Sequence, residues 1–181
     1  NYLKHIIETG RETPKHPTLF TRFPSAQVGH DRPMILPKAS TNFDFEGELA
    51  VVIGKPGRHI SKQNAMAHVA GYSLFNDGSI RDWQRHTLQF TPGKNFVGSG
   101  SFGPWIVTKD EIANVDKLVL ETRLNGEVVQ REGIDDLLFK IPDLIEYIST
   151  FTELLSGDVI ATGTPGGVGA FRTPPLWMQS G

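Results

Sequence analysis

The run Asn42-Phe-Asp-Phe-Glu-Gly-Glu-Leu-Ala-Val-Val-Ile-Gly54 sets two acids, Glu46 and Glu48, against an unbroken apolar stretch that reads as a buried strand. Side chains two apart on a strand point to the same side, so both carboxylates face one small volume. Like charges held that close repel unless a cation or a shared proton lies between them. A third acid, Asp77, closes a second apolar run, Gly71-Tyr-Ser-Leu-Phe-Asn-Asp77. Three hard oxygen ligands in a chain with no cysteine point to Mg²⁺, Mn²⁺ or Ca²⁺ rather than zinc or an iron–sulfur cluster.

Around these acids the chain is mostly strand and turn. Residues 9–41 hold Pro14, Pro17, Pro24, Pro33 and Pro37, a density that forbids a long helix and predicts an extended connector or cover. Glu48–Ile53 is a strand buried on both faces, closed by Gly54 and the Pro56-Gly57 turn. Ser61 is expected to cap a helix over 62–70, with Gly71 as its stop. Asn125-Gly126 between Leu118–Leu124 and Glu127–Gln130 predicts a hairpin with a type I′ turn. Pro142 opens a helix to about Phe151 with Leu144, Ile145 and Ile148 on one face, and Asp158–Ala161 is a further strand. Strands dominate and regular βαβ alternation is missing, which predicts an α+β fold with a rolled, barrel-like mixed sheet and few short helices in a single domain.

A formal charge of −2 without a basic run excludes the electrostatic footprint of a nucleic-acid binder. The absence of cysteine, of any membrane-length apolar segment and of a signal-like start reads as a soluble, cytoplasmic protein. Neither end looks natural, so the chain is expected to be a fragment truncated at both ends.

Four further clusters carry chemistry. In Asn1-Tyr-x-x-His5-x-x-Glu8, i,i+3 spacing brings a carboxylate to an imidazole and makes it a candidate general base. Asp77-Gly-Ser-Ile-Arg81-Asp-Trp-Gln84 places Arg81 and Gln84 on the helical face of the metal acid, a fork for a carboxylate and an amide for an oxyanion. Thr91-Pro-Gly-Lys94 is a loop lysine able to meet developing negative charge. Thr162-Gly-Thr164-Pro-Gly-Gly is a turn whose N–H groups and hydroxyl suit an anion, without the ending of a P-loop. His16, His30, His59, His68 and His86 show no metal-ligand spacing.

Taken in order, Asn-Tyr-x-x-His-x-x-Glu, Glu-Gly-Glu-Leu-Ala-Val-Val-Ile-Gly-Lys, Gly-Tyr-Ser-Leu-Phe-Asn-Asp-x-Ser-x-Arg-Asp-Trp-Gln, Gly-Lys-Asn-Phe and Ala-Thr-Gly-Thr-Pro-Gly-Gly-Val-Gly resemble the fumarylacetoacetate hydrolase family over nearly the whole chain. The resemblance implies Glu46, Glu48 and Asp77 as Mg²⁺ ligands, and His5 with Glu8 as a water-activating dyad. It implies Arg81, Gln84, Lys94 and Thr164 around the substrate's oxo-acid end, and a homodimer of rolled mixed sheets. Gly78 stands where many relatives carry a larger residue, which implies a wider pocket. The activity so implied is metal-dependent hydrolysis of a carbon–carbon bond in a small diketo acid, such as an acylpyruvate or fumarylpyruvate. The same motifs also serve decarboxylation of oxaloacetate-like acids and the isomerases or hydratases of aromatic catabolism, and an inactive metal-binding fragment is a further alternative.

Overall fold

The computed structural model describes residues 1–10 and 12–181. Its centre is β3 (Gly47–Ile53), the apolar run that follows the two acids. β3 pairs antiparallel with β4 (Val69–Asn76) on one edge and with β9 (Val159–Ala161) on the other. β4 pairs antiparallel with β6 (Gly100–Thr108), and β6 runs parallel to the short β1 (Gln27–Gly29), giving the order β1-β6-β4-β3-β9. The sheet is mixed and curled, and the fold is α+β as the pattern predicts.

Strand alternation decides which face does what. Leu49, Val51 and Ile53 enter the main core with Tyr72, Leu120, Ile134, Leu137 and Ile160. By the same parity, Glu48 lies on the opposite face with Ala50 and Val52, all of them buried. The helix α4 (Ile141–Phe151) seals the core with Leu144 and Ile145, each such side chain contributing roughly 1.5–3 kcal/mol of apolar burial. Its start is set by Pro142 in the first turn and by Asp143, whose carboxylate accepts the Lys140 N–H at 3.0 Å. The hairpin of β7 (Val119–Leu124) and β8 (Glu127–Gly133) turns on Asn125 and Gly126, both at positive φ (52° and 87°), as its two-residue turn requires.

Three local expectations change. Lys62–His68 is a 3₁₀ helix, Ser61 makes no side-chain cap, and the chain enters β4 directly at Val69. Gly71 is therefore inside a strand, where a Cβ would sit 2.2 Å from the Val107 carbonyl oxygen, so close approach of β4 and β6 is what demands glycine. After Asp77 the chain forms no continuous helix. It makes the short β5 (Ser79–Ile80), paired with β2 (Phe43–Asp44), and then single turns α2 (Arg81–Gln84) and α3 (Thr91–Lys94). Before the sheet stands α1 (Leu3–Thr9), ended by Gly10 at φ 67°. Among the described residues no helix is long and apolar enough to cross a membrane.

Candidate active site

Glu46 immediately precedes β3 and Glu48 is its second residue. Pairing of β3 with β4 brings Asp77, just past the end of β4, beside them, with the Asp77 N–H donating to the Glu46 carbonyl at 2.8 Å. One carboxylate oxygen from each of Glu46, Glu48 and Asp77 lies within 4.8 Å of the others, and all three side chains are buried. The expected triad is assembled.

The cations around it are more numerous and more deeply placed than the sequence suggests. Lys94, 1% exposed, is not a loop lysine. It ends α3, and its ammonium donates to Glu46 Oε2 (2.8 Å), Asp77 Oδ2 (2.7 Å) and Ser79 Oγ (2.6 Å). The approach of α3 depends on Gly93, where a Cβ would lie 2.3 Å from the Gln84 nitrogen. Arg81 is buried as well. Its Nε donates to Asp44 Oδ2 (2.7 Å), its Nη2 pairs with Glu46 Oε1 (2.6 Å) and its Nη1 donates to Gln84 Oε1 (2.9 Å). Arg81 and Gln84 thus share one turn, while Asp77 stands off it on the strand side. Arg22 completes the set by donating to Asp77 Oδ1 at 2.9 Å.

Three cations, Lys94, Arg81 and Arg22, face four carboxylates, Asp44, Glu46, Glu48 and Asp77, and none of the three pairs with Glu48. Among the described residues, the Glu48 carboxylate accepts only the Gly163 N–H, at 2.8 Å. Burial, reinforced by Asp77 and Glu46, pushes it up to about 8. Burial also raises Glu46, but Lys94 and Arg81 outweigh it and hold that carboxyl well below its ordinary value. Asp77 is raised by burial and by Glu46 against the pull of Lys94 and Arg22. An uncompensated, buried, all-oxygen donor set of this kind fits a divalent cation, whose charge would reverse the upward shift at Glu48.

The glycine-rich turn after β9 does hold anions, and they are the protein's own carboxylates. Gly163 N–H serves Glu48, and Gly167 N–H donates to Glu8 Oε1 at 3.0 Å. Glu8 in turn lies 2.9 Å from His5 Nδ1 within α1. Burial lowers the His5 imidazole below its ordinary value, the hydrogen bond to Glu8 opposing that shift. Thr164 is buried, with its hydroxyl donating to the Gly47 carbonyl (3.0 Å) and accepting from Gln130 Nε2 (2.8 Å).

A single cavity of about 1170 Å³ is lined by His5, Glu46, Glu48, Asp77, Arg81, Gln84, Lys94 and Thr164, together with Phe20, Arg22, Arg85 and Phe171. Glu8 stands behind His5. Gly78 does not enlarge this space. A Cβ there would lie 2.0 Å from the Ser99 carbonyl oxygen and 2.5 Å from Met34 Cε, so the position is closed by backbone packing.

Asp44, Arg22 and Gln130 are absent from the motif-based reading. Asp44, fully buried, accepts from Arg81 and from the Gly169 (2.7 Å) and Ala170 (2.9 Å) N–H groups, tying the loop after β9 to the site. Its signal was present, because Asp44, Glu46 and Glu48 continue one alternation. Arg22 sits in the proline-rich tract without any local pattern to mark it.

A curled α+β sheet that brings a buried carboxylate triad and His5, backed by Glu8, to one cavity defines a site whose oxygen donors fit a divalent cation. The whole chain, residues 1–181, matches the family described as fumarylacetoacetate (FAA) hydrolase C-terminal, and it belongs to that family. It is 46% identical over 183 residues to the human mitochondrial oxaloacetate tautomerase FAHD2A, a match covering 100% of this chain and 58% of the relative. It is 45% identical over 184 residues to the oxaloacetate tautomerase YisK of Bacillus subtilis, covering 100% and 61%. Among solved structures, fumarylacetoacetate hydrolase from psychrophilic Exiguobacterium antarcticum superposes with a TM-score of 0.88 at 39% identity, over 100% of this chain and 65% of that one. The 5-carboxymethyl-2-hydroxymuconate delta-isomerase of Mycobacterium smegmatis does so with a TM-score of 0.85 at 37% identity, over 97% and 65%. The chain spans less than two thirds of the length of these relatives.

Proposed function

We propose that this chain is the catalytic domain of a divalent-metal-dependent tautomerase that interconverts the keto and enol forms of a small oxo-diacid of the oxaloacetate type. The observation that carries this reading is the convergence of His5, backed by Glu8, and the Glu46–Glu48–Asp77 triad on one cavity. The names of the two curated relatives favour tautomerisation over the carbon–carbon hydrolysis that the motifs suggest first.

Tautomerisation asks for little beyond what these residues supply. One proton leaves the carbon beside the oxo group, one arrives at the oxo oxygen, and no bond between heavy atoms breaks. His5 has Nδ1 engaged by Glu8, which leaves Nε2 as the nitrogen that exchanges a proton with the carbon. Its lowered basicity keeps the imidazole neutral, ready to accept, at neutral pH. Gln84 has its carbonyl held by Arg81, which leaves the amide NH₂ as donor to a substrate oxygen. A divalent cation held by Glu46, Glu48 and Asp77 would supply a Lewis acid toward the oxo and carboxylate oxygens. Lys94 spends its three N–H donors on Glu46, Asp77 and Ser79, so its part here is to hold the ligand carboxylates. Thr164 similarly anchors the turn after β9 to β3.

The test is a side-by-side assay of the full-length protein with Mg²⁺, following decay of oxaloacetate enol absorbance, CO₂ release, and cleavage of acylpyruvates and fumarylpyruvate. The tautomerisation should have the largest kcat/KM. A larger kcat/KM for acylpyruvate or fumarylpyruvate cleavage would return the reading to a hydrolase, and one for CO₂ release to a decarboxylase.

A further inference from the structure

The proline-rich tract carries two side chains into the site. Phe20 places its ring centroid 5.0 Å from Lys94 Nζ. Two residues on, Arg22 reaches Asp77, with its side chain 10% exposed. Its Nη1 donates to Asp77 Oδ1 (2.9 Å) and to the Gly78 carbonyl (3.0 Å), and its Nη2 to Ser99 Oγ (3.2 Å) and the Ala26 carbonyl (3.5 Å). The guanidinium also lies over the Phe75 ring, 5.6 Å from its centroid.

The slot is shaped for this group. A Cβ at Gly100 would lie 2.2 Å from Arg22 Nη2. The backbone on both sides of Arg22 is clamped by Asn95, which donates to the Thr21 carbonyl (2.9 Å) and accepts the Phe23 N–H (2.6 Å). Asn95 directly follows Lys94, so the tract and α3 are fixed to one another. The result is that Asp77 is gripped from both edges, Oδ1 by Arg22 and Oδ2 by Lys94 at 2.7 Å. Its carboxylate plane cannot turn without breaking one of two charge-assisted hydrogen bonds.

We propose that Arg22 is a positioning residue for the cation site: it fixes the plane of the Asp77 carboxylate so that Glu46, Glu48 and Asp77 present oxygens to one point. This rests on reading the triad as a metal site. The proposal separates orientation from charge, because the two have opposite consequences. A cation beside a ligand repels a metal ion, so if charge alone mattered its removal would tighten binding. A partner that orients a ligand strengthens binding, and losing such partners typically weakens metal affinity about 10–100-fold.

The experiment is titration calorimetry of the full-length protein with Mn²⁺ alone, for wild type, Arg22→Gln, Arg22→Lys and Gly100→Ala, each with a circular-dichroism melt to establish folding. Gly100→Ala matters most, since it displaces the guanidinium while leaving its charge in the molecule. Arg22→Gln and Gly100→Ala should both bind Mn²⁺ about 10–100-fold more weakly, with Arg22→Lys between them and wild type. Unchanged or tighter binding in either folded variant overturns the proposal. Should Arg22→Gln fail to fold, Gly100→Ala and Arg22→Lys decide by the same criterion. Wild type that binds no Mn²⁺ would sink the metal-site reading itself, whereas wild-type binding shared equally by the variants would sink only the role of Arg22.

Discussion

Asp44 shows how far a single side chain can organise this site. It lies in none of the quoted motifs' chemistry, yet it holds Arg81 from one side and two N–H groups of the loop after β9 from another. Arg81 then reaches Glu46 and Gln84 in a fixed orientation. Asp44→Asn keeps an acceptor for Gly169 but leaves the Arg81 Nε without its carboxylate. Breaking a buried ion pair from one side typically costs about 3–5 kcal/mol, and we expect a loss near the lower end in chemical denaturation, because Glu46 still faces Arg81. A loss below about 1 kcal/mol, the range of an exposed pair, would show that Arg81 does not depend on Asp44. The residues of the candidate site were legible where they sat in dense local patterns, as Glu46, Glu48, Asp77, His5 and Glu8 did. Arg22 was not, because Asp77 lies 55 residues away in sequence and nothing around Arg22 but prolines announces a role.

At the scale of elements, the strands and the hairpin were readable because burial and turn chemistry each leave a local trace. The apolar run of β3 and the Asn125-Gly126 turn are of this kind. The helical stretch before β4 and the segment after Asp77 were misread for a shared reason. A glycine or an i,i+4 spacing has several physical meanings, and tertiary contacts choose between them. Gly71 looks like a helix stop and is a strand residue pressed against the Val107 carbonyl, 2.2 Å from where its Cβ would be. Gly71→Ala should therefore push β4 and β6 apart and cost about 1–3 kcal/mol, the usual penalty for overpacking, in thermal or urea unfolding. A neutral or stabilising result would mean that the contact between these strands relaxes freely.

For the whole molecule, the parity of β3 separates two tasks. One face of the strand builds the core with α4, and the other carries acid to a cavity roofed by the proline-rich tract and flanked by α1 and the turn after β9. That separation is why the strand-rich fold could be anticipated from pattern, while the cavity's closure could not: the tract has no periodicity, and the contacts that hold it to Asp77 and Asn95 are long-range. His5 and a buried set of oxygen ligands share this cavity, and on the proposed function His5 moves a proton at carbon. The most direct test is deuterium wash-in at the methylene carbon of oxaloacetate in D₂O, followed by NMR, for the full-length protein with Mg²⁺ and for its His5→Ala variant. Wild type should show wash-in above the protein-free Mg²⁺ background without release of CO₂ or cleavage products, and His5→Ala a fall of about 10²–10⁴-fold in the enzymatic rate. Wash-in by folded His5→Ala at the wild-type rate would contradict proton transfer by His5.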